Sequence, residues 1–403
     1  MHKLILIFAV ILMVAVSPSC SAAAEEMRIG DIVITGLTRT DKTLVLRYLP
    51  VKIGDKWSKD TQELLEQALF EANIFNPFAL EISTEEMTKD QVRVVINLAD
   101  PSYFMLHPLI YVLAAATDLS FSQLNQRIIN PWGNGVSFLV GVNWMTDDFE
   151  NDNPGPWQKF GLDILGADGR MYNYEYKNFE EHEEFNQRRF DLTGDRHVIS
   201  MRHMISLNLT MKYSLTYQDA DYLEKGHPIK QEYLVSTVRT ELKDLCIDLG
   251  HGFALGEEGT EFNFCSFDFA KIYDLCNEDE DQFVLCLKGG LATDDTPLNF
   301  QFSAGGYSDL PLRGHEFVLA GNAYLVSNIE YHKQFLGKKL LGIVFMDFGK
   351  VAVRRGAFSK ADFLLDAGIG IGYNSPLGLI RLDKGFNLLA EGDTWNITFG
   401  HTF

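Results

Sequence analysis

Three charged residues in the second half of the chain have the types and setting of a buried ionic site. Arg313 lies in a glycine-rich loop, residues 303–315, while Glu330 and Asp347 lie in mostly apolar segments. A carboxylate cannot cheaply face hydrocarbon, so Glu330 and Asp347 should point to the inner side of their segments. A guanidinium stays charged and can bind a carboxylate through two parallel hydrogen bonds. The predicted chemistry is an internal salt bridge; a solvated surface arginine is the alternative for Arg313 taken alone.

The segments around these carboxylates alternate in the way that half-buried strands do. In residues 343–349 one face is wholly apolar, while Asp347 shares the other with Phe345 and Gly349. In residues 366–373 the odd positions are apolar or aromatic, and the even positions are Asp366, Gly368, Gly370 and Gly372. Alternating glycines predict an inner wall clear of side chains, which another backbone can approach closely. No helix follows them, so they do not fit a dinucleotide-binding loop.

The final strand has the cleanest alternation in the chain. Its apolar face carries Trp395, Ile397, Phe399 and Phe403, and His401 is the one polar residue there. A terminal aromatic residue after such a strand resembles the signal by which outer-membrane barrels are recognised for insertion. Trp395 would mark an aromatic girdle at the membrane interface.

Composition limits the class of protein. The formal net charge of −20 argues against nucleic acid as a partner, because nucleic acid requires a basic face. Residues 1–24 have a basic start, a short apolar core and small residues at the end, which predict a signal peptide cleaved after Ala24. A lipidated Cys20 is the alternative. The four later cysteines are expected to be mainly free strand residues, with a disulfide left open.

Residues 25–100 predict a small α+β unit of order β-α-α-β-β, which ends where Asp100 precedes a proline. The strands are predicted at 28–35, 78–82 and 92–98, and the helices at 40–46 and 59–72. Residues 101–403 predict an all-β transmembrane barrel: about 16 antiparallel strands of roughly 9–11 residues and their connections would use this length.

Connections between the predicted strands have their own signals. Asp168-Gly169 predicts a tight hairpin, and the polar stretches 146–156 and 224–230 predict long external loops. The connection at about 294–321 is long and rich in glycine. We expect it to fold into the barrel and to carry Arg313 to an inner wall on which Asp347, Glu330 and Asp366 lie. The same argument from strand faces predicts that Arg381 and Asp383 also point inward.

Several motifs together resemble the outer-membrane assembly superfamily that includes BamA and TamA. Leu312-Arg313-Gly314-His315, preceded by Gly305 and Gly306, is similar to its V-R-G-F/Y loop motif. Phe345-Met346-Asp347-Phe348-Gly349 is similar to its F-x-D-x-G strand motif. The resemblance implies that Arg313 pairs with Asp347 inside the barrel, while Leu312 and His315 depart from the family pattern at the loop tip. The N-terminal unit resembles a POTRA domain, the periplasmic module of these barrels.

The resemblance implies a role in the insertion and assembly of outer-membrane proteins, or in their translocation. The alternatives are a two-partner-secretion transporter that exports a partner through the lumen, and a purely structural barrel. The implied location is the outer membrane of a Gram-negative bacterium, with the POTRA-like domain in the periplasm. The implied partners are membrane lipids, unfolded client proteins and periplasmic chaperones or lipoproteins. We expect no enzyme activity, cofactor or metal, since no H-E-x-x-H spacing and no nucleophile elbow occurs.

Overall fold

The computed structural model describes most of the chain after the predicted signal peptide. The described residues are 27–72, 74–75, 79–100, 123–143, 157–185, 188–206, 208–224, 227–256, 259–275, 281–305, 312–315, 319–335, 339–375 and 378–399. The predicted signal peptide, the predicted loop at 146–156, Gly306 and Phe403 lie outside them. Within the described stretches, no helix has the length and apolar character needed to cross a membrane.

The N-terminal unit has the order β-α-α-β-β over its described residues. Its elements are β1 (Arg28–Thr35), α1 (Lys42–Tyr48), α2 (Lys59–Ala72), β2 (Glu81–Thr88) and β3 (Gln91–Asn97). The central strand is β3, which pairs in parallel with β1 and antiparallel with β2. The strand predicted at 78–82 is wrong in its bounds, because β2 is an edge strand that buries only Ile82 and so lacks a hydrophobic pattern.

The core of this unit lies between the two helices and the sheet. Leu65 and Leu69 of α2 are buried together with Val94 and Ile96 of β3, as helical and strand periodicities require. The side chain of Asp41 accepts a hydrogen bond from the Thr43 amide at 2.8 Å and caps α1. The amphipathic pattern and its caps therefore account for both helices.

The rest of the described chain is dominated by one sheet of 15 strands, and the prediction of a large antiparallel barrel is confirmed. Its strands are β4 (Gln123–Ile128), β5 (Val136–Asn143), β6 (Trp157–Leu165), β7 (Met171–Phe185), β8 (Arg188–Ser206), β9 (Leu209–Glu224), β10 (His227–Leu242), β11 (Leu245–Ala254), β12 (Phe262–Asp274), β13 (Gln282–Ala292), β16 (Ala323–Phe335), β17 (Leu340–Ala352), β18 (Leu364–Ser375), β19 (Gly378–Asn387) and β20 (Asp393–Phe399). Each pairs with its neighbour in that order, and among the described residues β4 and β20 are its two ends.

Two short strands, β14 (Phe302–Ala304) and β15 (Leu319–Gly321), form a separate hairpin inside the long connection from β13 to β16. They hold the base of the loop that carries Arg313. The long loop predicted at 224–230 is wrong, because β9 and β10 stay paired up to Glu224 and His227. Polar residues can continue a strand pair that extends past the membrane, so polarity alone does not mark a loop.

The N-terminal unit packs against turns at one end of the barrel. Asn130, before β5, is buried and donates a hydrogen bond from its amide to the Thr40 hydroxyl at 2.8 Å. A Cβ on Gly133 would lie 2.1 Å from the Arg39 carbonyl oxygen, so the turn after Asn130 approaches the unit too closely for any side chain. On β6, Leu165 belongs to the buried core of the N-terminal unit.

Asp100 fixes the end of the unit at this junction. Its carboxylate accepts hydrogen bonds from the backbone amides of Thr38 at 2.7 Å, Arg39 at 2.7 Å and Thr40 at 3.0 Å. Burial alone would raise the pKa of the Asp100 carboxyl, but bonds from the Thr40 hydroxyl and these amides outweigh it and lower the pKa to about 2. The carboxylate therefore anchors the loop that carries Thr40 towards Asn130.

Candidate functional site: a loop held by buried ion pairs

Residues 312–315 form a tight turn that enters the barrel from the end opposite the N-terminal unit. The His315 amide donates to the Leu312 carbonyl at 3.0 Å, which closes the turn. Leu312 is fully buried, and a Cβ on Gly349 would lie only 2.9 Å from its side chain. Gly349 on β17 therefore leaves the space that seats the loop tip beside Asp347.

Arg313 is the centre of the site, with only 6% of its surface exposed. Its Nε and Nη2 atoms donate to the two carboxylate oxygens of Asp347 at 2.9 and 2.5 Å, and its backbone amide donates to Asp347 at 3.0 Å. Nη1 reaches Glu330 on β16 at 2.5 Å and Asp383 on β19 at 3.4 Å. The guanidinium carbon lies 3.5 Å from the ring centroid of Phe345, a cation–π contact. One loop residue therefore contacts three strands of the wall.

A second arginine completes the charge balance around Glu330. Arg381 on β19 donates to both carboxylate oxygens of Glu330 at 2.9 Å and from Nε to Asp383 at 2.7 Å. The Nε2 atom of His332 lies 2.6 Å from Glu330. Two guanidinium groups thus alternate with the carboxylates of Glu330, Asp347 and Asp383, as buried charges require.

The residues after Arg313 bind a fourth carboxylate. The Gly314 amide donates to Asp366 on β18 at 2.8 Å, and the Nδ1 atom of His315 lies 2.9 Å from the same carboxylate. The other ring nitrogen of His315 lies 3.2 Å from the side-chain amide of Asn387. His315, where the family pattern has an aromatic residue, therefore makes polar contacts with β18 and β19.

The backbone of the loop tip contacts the last strand of the sheet. The Arg313 carbonyl accepts hydrogen bonds from the Thr394 hydroxyl and, at 3.3 Å, from the Asn396 side chain, both on β20. A Cβ on Gly385 of β19 would lie 1.9 Å from that carbonyl oxygen. The loop therefore contacts every strand from β16 to β20.

The structure brings Arg313, Gly314, Asp347 and Glu330 together, as the sequence predicts. Gly305 lies at the loop base with a positive φ of 91°. Gly368 and Gly370 point inward, but the Phe345 ring and the Asp383 carboxylate cover them. The prediction of a bare wall is therefore wrong, because neighbouring side chains fill the space that glycine leaves.

The predicted lipid-facing residues of the last strand lie together. Trp395 and Ile397 are exposed on β20, Phe399 ends that strand, and Ile369, Ile371 and Tyr373 of β18 are exposed as well. Gly372 faces the opposite side, where Leu341 and Leu379 surround it. The alternation thus separates an exposed apolar outer face from a buried inner face that carries both charged residues and the apolar cluster around Leu341.

Sequence reasoning misses Gly385, Thr394 and Asn396 as loop-binding residues. The available signal is parity: Asn396 lies on the inner face because Trp395 and Ile397 lie on the outer one.

Cys246, Cys265 and Cys286 are free thiols, and Cys276 lies outside the described residues. Among the described side chains, no group of three His, Cys, Asp or Glu residues could hold a metal ion.

Comparison with known proteins places this site in a family. Residues 245–403, which hold the contacts of Arg313, Gly314 and His315, match the Omp85 superfamily domain. This part of the chain is an Omp85 superfamily domain. The Omp85 superfamily contains the barrels that the loop and strand motifs resemble, so that prediction is confirmed. No curated protein sequence matches the chain.

Three solved structures share the fold of this chain. BamA from Haemophilus ducreyi lacking POTRA domains 1–3 is similar with a TM-score of 0.52 and 15% identity, over 93% of this chain and 84% of that one. CdiB from Acinetobacter baumannii has a TM-score of 0.57 and 13% identity, over 92% and 73% of the two chains. CdiB from Escherichia coli has a TM-score of 0.58 and 15% identity, over 94% and 75%. At these identities the likeness shows the fold.

Proposed function

We propose that the chain is an outer-membrane barrel that takes part in the insertion and assembly of other outer-membrane proteins. In this proposal the N-terminal unit is a POTRA-like periplasmic domain. Its partners are the membrane lipids, unfolded client proteins, and periplasmic chaperones or lipoproteins that deliver those clients. The proposal assigns the chain no catalytic reaction and no cofactor.

One observation carries the proposal: the loop in the lumen binds the last strand of the sheet. The Arg313 carbonyl accepts hydrogen bonds from Thr394 and Asn396 of β20, while its guanidinium group binds β16, β17 and β19. A client strand that pairs with an exposed sheet edge must meet β20 or β4 at that edge. A loop that contacts β20 can therefore control the position of the strand that a client would meet.

The packing of the lumen favours insertion over export. The ion pairs that Arg313 and Arg381 form with Glu330, Asp347 and Asp383 are the ion cluster. A second cluster is aromatic: the rings of Tyr233, Phe262 and Phe300 have centroids 5.0–5.6 Å apart, and Tyr233 and Phe262 are fully buried. Phe300 lies at the start of the same loop. A protein exported through the lumen would have to displace both the aromatic cluster and the ion cluster, whereas strand addition at the sheet edge displaces neither.

The N-terminal unit offers a second site for strand addition. In the described residues β2 is an edge of the three-stranded sheet, and all but one of its residues are exposed. An extended client segment can add to such an edge through main-chain hydrogen bonds. The packing of the unit against the turn after Asn130 keeps this edge at the barrel.

Reconstitution of the purified chain in liposomes tests the proposal. An unfolded outer-membrane barrel is added as client, and its folding is followed by heat-modifiable electrophoretic mobility. Asp347→Asn should slow client folding, because a loosened loop no longer positions β20. The matched control is Asp221→Asn, the same chemical change at an exposed position on β9.

The alternative, a two-partner-secretion-type transporter, predicts that Asp347→Asn increases activity instead of lowering it. If export passes through the lumen, loosening the loop in Asp347→Asn should increase protease-protected uptake of a soluble unfolded partner. Client folding that is equal with wild type, Asp347→Asn and empty liposomes would refute the insertion proposal. The similarity in fold to both BamA and CdiB is compatible with either outcome.

A further inference from the structure

Two connections at the barrel end opposite the N-terminal unit carry an unusual combination of residues. The loop 353–363 joins β17 to β18 and exposes Arg354, Arg355 and Lys360, with Asp362 as its one acidic residue. The chain as a whole has a net charge of −20. A locally basic surface on such an acidic chain can attract an anion that the remaining surface repels.

Large exposed apolar side chains lie on the same two connections. Val353 and Phe363 at the two ends of the loop are 56% and 50% exposed, and Leu388 and Leu389 in the next connection on this side are 51% and 59% exposed. The Leu388 amide donates to the Leu365 carbonyl of β18 at 2.9 Å, so the second connection starts beside the strand that follows the loop 353–363. Cations mixed with exposed apolar residues are typical of surfaces at a membrane interface.

The loop 353–363 is fixed against the outer face of the barrel. The Phe363 ring lies 6.2 Å from the ring of Phe348, which shares the outer face of β17 with the exposed Val344 and Met346. Lys350, the next residue of that row, donates from Nζ to the Ser359 carbonyl at 3.3 Å. The loop therefore lies where the lipid-facing row ends.

The cationic groups remain available at this position. The Arg355 amide donates to the Asp294 carboxylate at 2.8 Å, which fixes the backbone of the loop. Among the described residues, the side chains of Arg354, Arg355 and Lys360 form no ion pair. Three cations on a held backbone are thus left to bind a group from outside the chain.

The opposite wall of the barrel has the other sign at the same end. On the outer face of β8, β9 and β10, Asp195 lies opposite Asp219, and Asp219 lies opposite Glu232. Tyr176 donates to Asp195 at 2.8 Å and Tyr217 donates to Glu232 at 2.8 Å. On this wall Lys230 is paired with Asp219 at 3.1 Å, whereas the three cations of the loop 353–363 form no ion pair among the described residues.

We infer that residues 353–363, together with Leu388 and Leu389, form a docking surface for a phosphorylated lipid of the outer leaflet. Arg354 and Arg355 would bind phosphate oxygens, for which the guanidinium fork is suited, and Lys360 would add a third charge. The four exposed apolar residues would contact the acyl chains. The inference rests on the proposed outer-membrane location, and it places an ordered lipid next to the strands that the loop of Arg313 contacts.

Native mass spectrometry of the full chain in a non-ionic detergent tests the inference. The probes are diphosphorylated lipid A, its dephosphorylated form and phosphatidylcholine. The variant Arg354→Gln/Arg355→Gln/Lys360→Gln removes three charges; the control Lys52→Gln/Lys59→Gln/Lys89→Gln removes three exposed charges from the N-terminal unit. Each cation near an anionic surface contributes about fivefold, so the loop variant should bind diphosphorylated lipid A on the order of 100-fold more weakly.

The control should bind like wild type, and dephosphorylated lipid A should bind all proteins equally weakly. Arg354→Lys/Arg355→Lys keeps the charge, so it should recover most of the binding and shows that the loop tolerates substitution. Equal affinity of wild type and the loop variant for diphosphorylated lipid A would overturn the inference. Because binding is measured in detergent without a client, a chain that binds the lipid but inserts no client refutes the proposed function alone.

Discussion

Replacing Asp347 by asparagine should release the loop, and the structure sets the size of the effect. Asp347 accepts three hydrogen bonds from Arg313 and one from Asn328 at 2.9 Å. Breaking one partner of a buried ion pair costs about 3–5 kcal/mol. Arg313 keeps its contacts with Glu330 and Asp383, so we expect the lower end, ~3 kcal/mol, which is roughly a 10²-fold shift towards the undocked loop.

Trypsin digestion measures the equilibrium between the docked and undocked loop, because trypsin cleaves after Arg313. In the docked loop Arg313 is buried and cannot enter a protease, so cleavage between Arg313 and Gly314 reports the undocked fraction. When the loop recloses faster than it is cut, the cleavage rate follows the open population. Asp347→Asn should therefore be cut at Arg313 about 10²-fold faster than wild type, measured by mass spectrometry of the two fragments.

The control is Asp362→Asn, which removes an exposed carboxylate and should leave the rate unchanged. Heat-modifiable mobility of the barrel shows whether each variant is folded before digestion. If folded Asp347→Asn and Asp362→Asn are cleaved at Arg313 at the same rate, the ion cluster does not hold the loop. The same result would remove the basis for the expected loss of client folding.

Two other perturbations test the positions that glycine and Asp100 occupy. Gly385→Ala places a methyl group 1.9 Å from the Arg313 carbonyl oxygen, so it should destabilise the docked loop by about 1–3 kcal/mol and raise the rate of cleavage at Arg313. The control is Gly356→Ala, because a Cβ there meets nothing within 4 Å and should leave the rate unchanged. Equal cleavage rates in the two variants would contradict the close contact at Gly385. The pKa of Asp100 is lowered to about 2, so its stabilisation of the N-terminal unit is complete above the unfolded pKa of about 4 and is lost as the pH falls towards 2. Urea unfolding at pH 5 and pH 2.5 should show a smaller difference in Asp100→Asn than in wild type, and equal differences would exclude Asp100 as the source.

Strand parity made most of the site predictable. The apolar neighbours of Asp347 force it inward, and the same argument places Glu330, Asp366 and Asp383, so all four carboxylates follow from period-2 alternation. The contacts of Gly385 with the loop could not be predicted, because they depend on which backbone lies across the lumen and not on the strand itself. The contacts of His315 with Asp366 and Asn387 could not be predicted either, because they require the loop to be docked.

The loop is held by ion pairs, although a buried ion pair is often no more stabilising than apolar residues of the same volume. An apolar loop tip could slide along an apolar wall at little cost. Arg313 cannot, because its partners Asp347, Glu330 and Asp383 come from three different strands, and Arg381 binds only Glu330 and Asp383 among them. An intermediate position of the loop therefore leaves Asp347 as a buried carboxylate without its cation, which is costly. The cluster therefore makes docking nearly all-or-none, and because the Arg313 carbonyl binds β20, the state of the loop determines how the last strand is held.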